Sequence, residues 1–334
     1  MTGKKKVLEV KNLKTWFFTA SGQVKAVDDV SYDLNEREII AIVGESGCGK
    51  SVTQMSVIQL VQTPPGKIMG GQVWFEEKNL LDFPPRSQEM RKIRGAGIAM
   101  IFQEPMTSLN PVLTIGQQLT EVIRTHTKCS QKEAWQIGVK SLEAVGIPDA
   151  KERMHNYPFQ LSGGMVQRAM MATAIACRSK IIIADEPTTA LDVTTQAQVM
   201  ELLLSLVEKY GTSIVLVTHN LGLVTRYTNS VYVMYAGKIV ELGTTEDILM
   251  HPRHPYTLGL LDCVPKLTHK KDYELVPIQG APPRLQDLPP GCAFASRCPY
   301  VFNKCREEFP TLRQVGENEH WAACHLDGEM KKQQ

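Results

Sequence analysis

The residues best equipped for chemistry sit in one octapeptide, Gly44-Glu45-Ser46-Gly47-Cys48-Gly49-Lys50-Ser51, placed after the apolar run Ile39 to Val43 and before a helical stretch, Val52 to Leu60. Glycines let successive backbone N–H groups turn inward around phosphate oxygens, and the start of the helix adds its positive dipole end. Lys50 supplies a mobile positive charge for the β- and γ-phosphates, and Ser51 offers a hydroxyl to Mg²⁺. The segment Gly44 to Val52 is therefore expected to bind a nucleotide. A second apolar run, Ile181 to Ala184, ends on Asp185 and Glu186. Open α/β sheets bind ligands at the C-terminal ends of their strands, where this pair would lie. Asp185 suits Mg²⁺, directly or through water, and Glu186 suits the polarising of an attacking water, because phosphoryl transfer asks mainly for positioning and charge stabilisation.

Further motifs lie between and after these two. Leu161-Ser162-Gly163-Gly164-Met165-Val166-Gln167 reads as a capped helix start whose exposed N–H groups can take another phosphate. Gln103-Glu104-Pro105 lies upstream of it, Ala190-Leu191-Asp192 follows the acidic pair, and His219 comes just after the apolar run Ser213 to Val217. In this order the motifs resemble those of ABC transporter ATPases, with the 161–167 segment similar to that family's LSGGQ signature. The resemblance implies that Gln103 senses Mg²⁺ and the membrane partner, that His219 contacts the γ-phosphate, and that Asp192 belongs to the D-loop. It also implies that an aromatic near Asn12 stacks on adenine; counting favours Phe17, with Trp16 as the alternative. Val166 departs from the Arg or Gln of the family pattern, but the serine and glycines carry the phosphate contacts.

The similarity narrows further at Gln103 to Pro111, which reads QEPMTSLNP, and at His254-Pro255-Tyr256-Thr257. Both resemble the ATPase subunits of dipeptide and oligopeptide importers. Such a subunit works in a head-to-tail pair, with itself or a homologous ATPase, in which the Ser162 region of one chain completes the ATP site of Lys50 and Glu186 on the other. It acts at the cytoplasmic face of the membrane, on permease subunits fed by a solute-binding protein. Related cores serve nickel and other small solutes. A soluble ABC ATPase acting on DNA or ribosomes is the rival from another class, but it would bring coiled-coil insertions or a second cassette, and neither is present.

The last 84 residues hold ten of the 19 prolines and five of the eight cysteines. Cys292, Cys298, Cys305 and Cys324, with gaps of five, six and 18 residues, suit four thiolates around one metal. No C-x-x-C pair occurs among them, and the gaps match no standard ferredoxin pattern. The segments Gly291 to Phe294, Arg297 to Pro299 and Ala323 to His325 resemble extensions of peptide-importer ATPases that carry a [4Fe-4S] cluster. On that resemblance a structural iron-sulfur centre is expected, with zinc, free thiols or disulfides as alternatives. Cys48, Cys129, Cys177 and Cys263 read as packing or loop residues.

These side chains need a scaffold. The uncharged, β-branched runs read as buried strands of an α/β sheet, and Leu119 to Val145, Gly164 to Cys177 and Thr195 to Tyr210 read as the helices covering it. The expected architecture is a P-loop ATPase core over residues 1–250 with a helical subdomain at 115–178, followed by an irregular extension over 251–334. Prolines make that extension look too irregular to bury a core of its own. A formal charge of +2, from 37 basic and 35 acidic residues, gives no footprint for nucleic acid. Lys4 to Lys6 read as a solvated tail. No apolar run is long enough for a membrane span or a signal peptide, which places the chain in the cytosol.

Overall fold

The computed structural model describes residues 5–189, 191–263, 277–316 and 319–326. The strands in chain order are β1 (Lys6–Thr19), β2 (Gly22–Asn35), β3 (Ile39–Val43), β4 (Gly66–Phe75), β5 (Lys78–Asn79), β6 (Ile98–Ile101), β7 (Ile181–Asp185), β8 (Ser213–Thr218), β9 (Ser230–Tyr235), β10 (Lys238–Thr244), β11 (Arg313–Gln314) and β12 (Trp321–Ala322). Contacts divide the chain into two units. One holds residues up to Val7, Leu34–Glu38 and Asp82–Val217; the other holds Leu8–Asp33, Ile39–Leu81 and the described residues from Thr218 on. This division falls elsewhere than the expected boundary at residue 250.

In the first unit β6 pairs with β7 and β7 with β8, both in parallel, with Asp185 opposite Val217. Every residue of β7 and β8 is buried, the condition of parallel strands covered on both faces, which is why their sequences are continuous apolar runs rather than alternating ones. The segment expected to be helical carries Ile115–His126, Gln131–Ala144, Ala150–Arg153 and Gly163–Ala176. The single helix expected over 119–145 is thus two. Each begins with a capping box, Thr114 with Gln117 and Ser130 with Glu133, and the second box forces a new start where apolar periodicity alone continues. Lys5 pairs with Glu36 at 3.1 Å and Lys6 opens β1, so these two are not a free tail; Lys4 lies outside the described residues.

In the second unit one sheet has the order β2-β1-β4-β5, and a second runs β11-β12-β10-β9-β3. β3 and β9 are parallel, and β9 and β10 antiparallel. The cysteine-bearing extension joins this unit in two ways. Its strand β12 pairs with β10, setting Ala322 opposite Glu241, and its Tyr256, Leu261 and Phe294 enter one apolar cluster with Ala41, Val43 and Val233. Tyr256 and Phe294 are almost fully buried and stand 5.4 Å apart, each within 5.3 Å of the Tyr235 ring. Burying one such ring is worth about 1.5–3 kcal/mol. The extension, expected to bury no core of its own, borrows one from β3 and β9.

Candidate active site

β3 delivers the chain into Gly44, and the helix Lys50–Val57 begins six residues later, two residues ahead of the expected start at Val52. The turn between them requires glycine. A Cβ on Gly44 would collide with the Met234 carbonyl, and one on Gly49, whose φ is 108°, with the Ala26 carbonyl. Lys50, 5% exposed, donates from Nζ to the carbonyl oxygens of Gly44 at 2.8 Å and Glu45 at 3.0 Å, so its charge lies folded over the loop. The Cys48 carbonyl accepts from Gly237 N–H at 2.9 Å. Cys48 itself is buried, and burial pushes its thiol above the ordinary value. Phe17 is half-buried in β1 beside Gly66, whereas a lysine ammonium, Lys25 Nζ, stands 5.0 Å from the Trp16 ring centre. His219 is exposed just past β8.

In the first unit β7 ends on Asp185, 4% exposed, and Glu186, 9% exposed. Glu186 has φ of 46°, a left-handed conformation that a non-glycine residue holds only where its surroundings insist. They do. Its N–H donates to the Val217 carbonyl at 2.9 Å, while its Oε2 accepts from Gln103 Nε2 at 3.2 Å and Thr189 Oγ1 at 2.9 Å. Two residues proposed for Mg²⁺ and water chemistry, Gln103 and Glu186, are thus brought together by the fold. Thr189 was not singled out in the sequence, since a threonine four residues past a strand carries no pattern of its own.

Ser162 caps the helix Gly163–Ala176, its Oγ accepting from Met165 N–H at 3.4 Å. Val166 is fully buried while Ser162 and Gly163 are exposed, so the departure from the family pattern points inward, away from the exposed start of the helix. Asp192 caps the helix Val193–Tyr210 through Thr195, and the Thr195 hydroxyl and N–H hold its carboxyl below the usual range. Ala190, the first D-loop residue, lies outside the described residues.

All eight cysteines are free thiols. Cys292, Cys298, Cys305 and Cys324 line one cavity of about 10 Å³ in the second unit, shared with His254 and His325. Burial, with lesser repulsion from neighbouring cysteines, pushes the Cys292 and Cys298 thiols up to about 11, and burial raises Cys324 as well. Yet among the described residues no group of three or more His, Cys, Asp or Glu side chains is arranged to hold a metal ion. The four cysteines on which an iron-sulfur site is expected converge on one space about the size of a single water.

The glycine-rich loop after β3, with its buried lysine, is that of a P-loop ATPase of α/β architecture. Residues 27–189 match the family described as ABC transporter, and residues 240–305 match the oligopeptide/dipeptide transporter C-terminal region. The chain is 50% identical over 306 residues to the oligopeptide transport ATP-binding protein AppD of Bacillus subtilis, covering 92% of each chain. It is 49% identical over 321 residues to the dipeptide transport ATP-binding protein DppD of the same organism, covering 96% of this chain and 95% of that one. The dimeric ATP-binding cassette MJ0796, solved in a post-hydrolysis state with ADP and Pi, matches with a TM-score of 0.64 at 27% identity, over 71% of this chain and 98% of that one. The chain belongs to the ABC transporter family of ATP-binding proteins, and its enzymatic activity is ATP hydrolysis. Among the described residues no helix is long and apolar enough to cross a membrane.

Proposed function

We propose that this chain is the ATPase subunit that powers import of di- or oligopeptides through an ABC transporter. The observation that carries the substrate class is the whole-length likeness to peptide-transport ATPases, extension included, rather than to a bare cassette. The chain would sit peripherally on the cytoplasmic face, paired with itself or a homologous ATPase and docked on permease subunits that receive solute from a binding protein.

At the ATP site, Gly44 to Val52 would wrap the phosphates, Lys50 would neutralise the β- and γ-oxygens, and Phe17 would cover the adenine. Ser51, Asp185 and Gln103 have the oxygen donors that Mg²⁺ takes. The ion would neutralise charge developing on the phosphates. Glu186 would orient the attacking water, its carboxylate fixed in advance by Gln103 and Thr189. His219 would meet the γ-phosphate, and Ser162, Gly163, Gly164 and Asp192 of the second ATPase would close the site. Cells lacking the chain should lose growth on peptides as sole amino-acid source and regain it on complementation. Restoration of nickel uptake with no change in peptide use would point to the other solute class.

For the thiol cavity we propose a structural [4Fe-4S] centre on Cys292, Cys298, Cys305 and Cys324. Support comes from the donor set: among the described residues four thiols border the same space, with His254 and His325 beside them. Such a centre would supply cross-links, with the cysteines bound as thiolates. Protein purified without oxygen should be brown, absorb near about 400 nm and carry about four irons per chain, the stoichiometry of that cluster. Zinc alone in such protein would refute it.

A further inference from the structure

Glu45, the second residue of the phosphate-binding loop, is held from the extension at both its ends. Its backbone N–H donates to Tyr256 Oη at 2.7 Å, and its carboxylate takes a two-point bond from Arg297, Nη1 to Oε2 at 2.6 Å and Nη2 to Oε1 at 2.9 Å. The Arg297 side chain is 3% exposed, against 27% for Glu45. All five guanidinium donors find acceptors. Nε reaches the Gln279 carbonyl at 3.0 Å, Nη2 also reaches the Ile278 carbonyl at 3.3 Å, and Nη1 also reaches Tyr235 Oη at 3.4 Å. Glu45 holds the guanidinium well above its ordinary value, so the charge is permanent. A buried arginine with a full set of bonds is a fixed point, not a surface ion pair.

That fixed point is one residue away from the lysine proposed to bind the phosphates. The Glu45 carbonyl accepts from Lys50 Nζ, so the residue Arg297 immobilises is also one that Lys50 rests on. Arg297 in turn adjoins Cys298 and lies within 5.8 Å of the Phe294 ring centre, which ties the loop to the thiol-lined cavity. Pro282, Pro283 and Leu285 line a cavity of about 160 Å³ with Glu45 and Ser46, so the extension also covers the loop sterically.

We propose that Arg297 is a positioning residue of the ATP site: through Glu45 it holds the phosphate-binding loop in shape, and it makes nucleotide affinity depend on the order of the cysteine extension. The proposal rests on the reading of Gly44 to Ser51 as the phosphate site. The coupling would hold although the four cysteines lie outside every nucleotide motif.

The test uses the full chain assembled with its permeases. Arg297→Met keeps bulk and removes the charge; it should raise KM for ATP roughly tenfold, a size typical of losing one partner of a half-desolvated ion pair, with kcat within about twofold. Arg297→Lys should recover only part, because one ammonium cannot make the two-point bond. Glu45→Gln should raise KM similarly, and the Glu45→Gln, Arg297→Met pair should be no worse than the worse single variant. Folded Arg297→Met protein with unchanged KM would overturn the proposal, as would losses that add in the double variant. Should Arg297→Met fail to fold, Glu45→Gln and Tyr256→Phe read the same clamp from the loop side, and unchanged KM in both would also overturn it. Lys50→Ala runs alongside: if it keeps ATP affinity, the phosphate-site reading itself fails; if it loses it while Arg297→Met does not, only the present inference fails.

Discussion

Two glycine-rich turns start helices in this chain, and the fold treats them in opposite ways. At Gly44 to Lys50 the turn is finished by its own unit: carbonyls of Met234 and Ala26 leave no room for a Cβ, Lys50 is satisfied by loop carbonyls, and Arg297 and Tyr256 hold Glu45. At Ser162 to Gly164 nothing lies within 4 Å of a Cβ placed on Gly163, and the nearest atom to one on Gly164 is a Leu191 methyl at 4.0 Å. Glycine serves packing in the first turn and open access in the second. The difference fits the proposed composite site, in which one turn would be shaped in advance for phosphate and the other left bare for a ligand held by a second chain.

The largest effect belongs to Lys50→Ala, which should abolish Mg-ATP binding in a nucleotide titration, since the loop has no other cation; retained affinity would remove Lys50 from the site. Next, Gly49→Ala should lower stability by about 2–4 kcal/mol in denaturant unfolding, the range for steric intrusion at a special backbone position. Gly163→Ala should stay within about 0.5 kcal/mol of the parent in the same assay while slowing ATP turnover of the assembled pair. Equal destabilisation by the two would erase the distinction. A smaller effect follows from His254, whose ring Nδ1 accepts from Tyr256 N–H and caps the helix that carries the Glu45 clamp. Burial depresses it to about 3, so the folded chain refuses a proton that the unfolded chain takes up near pH 6.5. Its contribution is therefore complete above about pH 6.5 and declines as pH falls toward 3, by up to about 1.4 kcal/mol per unit. Replacing His254 by Gln should flatten the acid limb of the stability profile; an unchanged slope would assign that limb to other groups. Ser162→Ala removes a helix cap and should cost about 1 kcal/mol in thermal unfolding.

What the sequence made legible is what local pattern encodes. Ile39 to Val43 and Ile181 to Ala184 are buried strands because parallel pairing covers both faces, and each hands its motif to the strand end as the spacing implied. The helix at Ser162 and the one at Asp192 begin at capping residues that can be read directly. The break between His126 and Gln131 was also written, as Ser130 and Glu133, but continuous apolar periodicity masks it. The Arg297 to Glu45 pair, 252 residues apart, leaves no local trace, and neither does the burial of Tyr256 and Phe294 against β3 and β9. Partners chosen by tertiary packing are invisible to a reading that follows periodicity, which is why an extension rich in proline looked unanchored.

In the proposed function Glu186, in a left-handed turn with its carboxylate held by Gln103 and Thr189, would be the carboxylate that makes this subunit an ATPase. Steady-state turnover and Mg-ATP affinity of Glu186→Gln, measured together in the assembled transporter, test it most directly. The amide keeps the shape and the hydrogen-bonding oxygen but not the negative charge, so affinity should be kept while turnover falls by about 10²-fold or more, with ATP-bound dimers accumulating. Turnover near that of the parent would contradict the account.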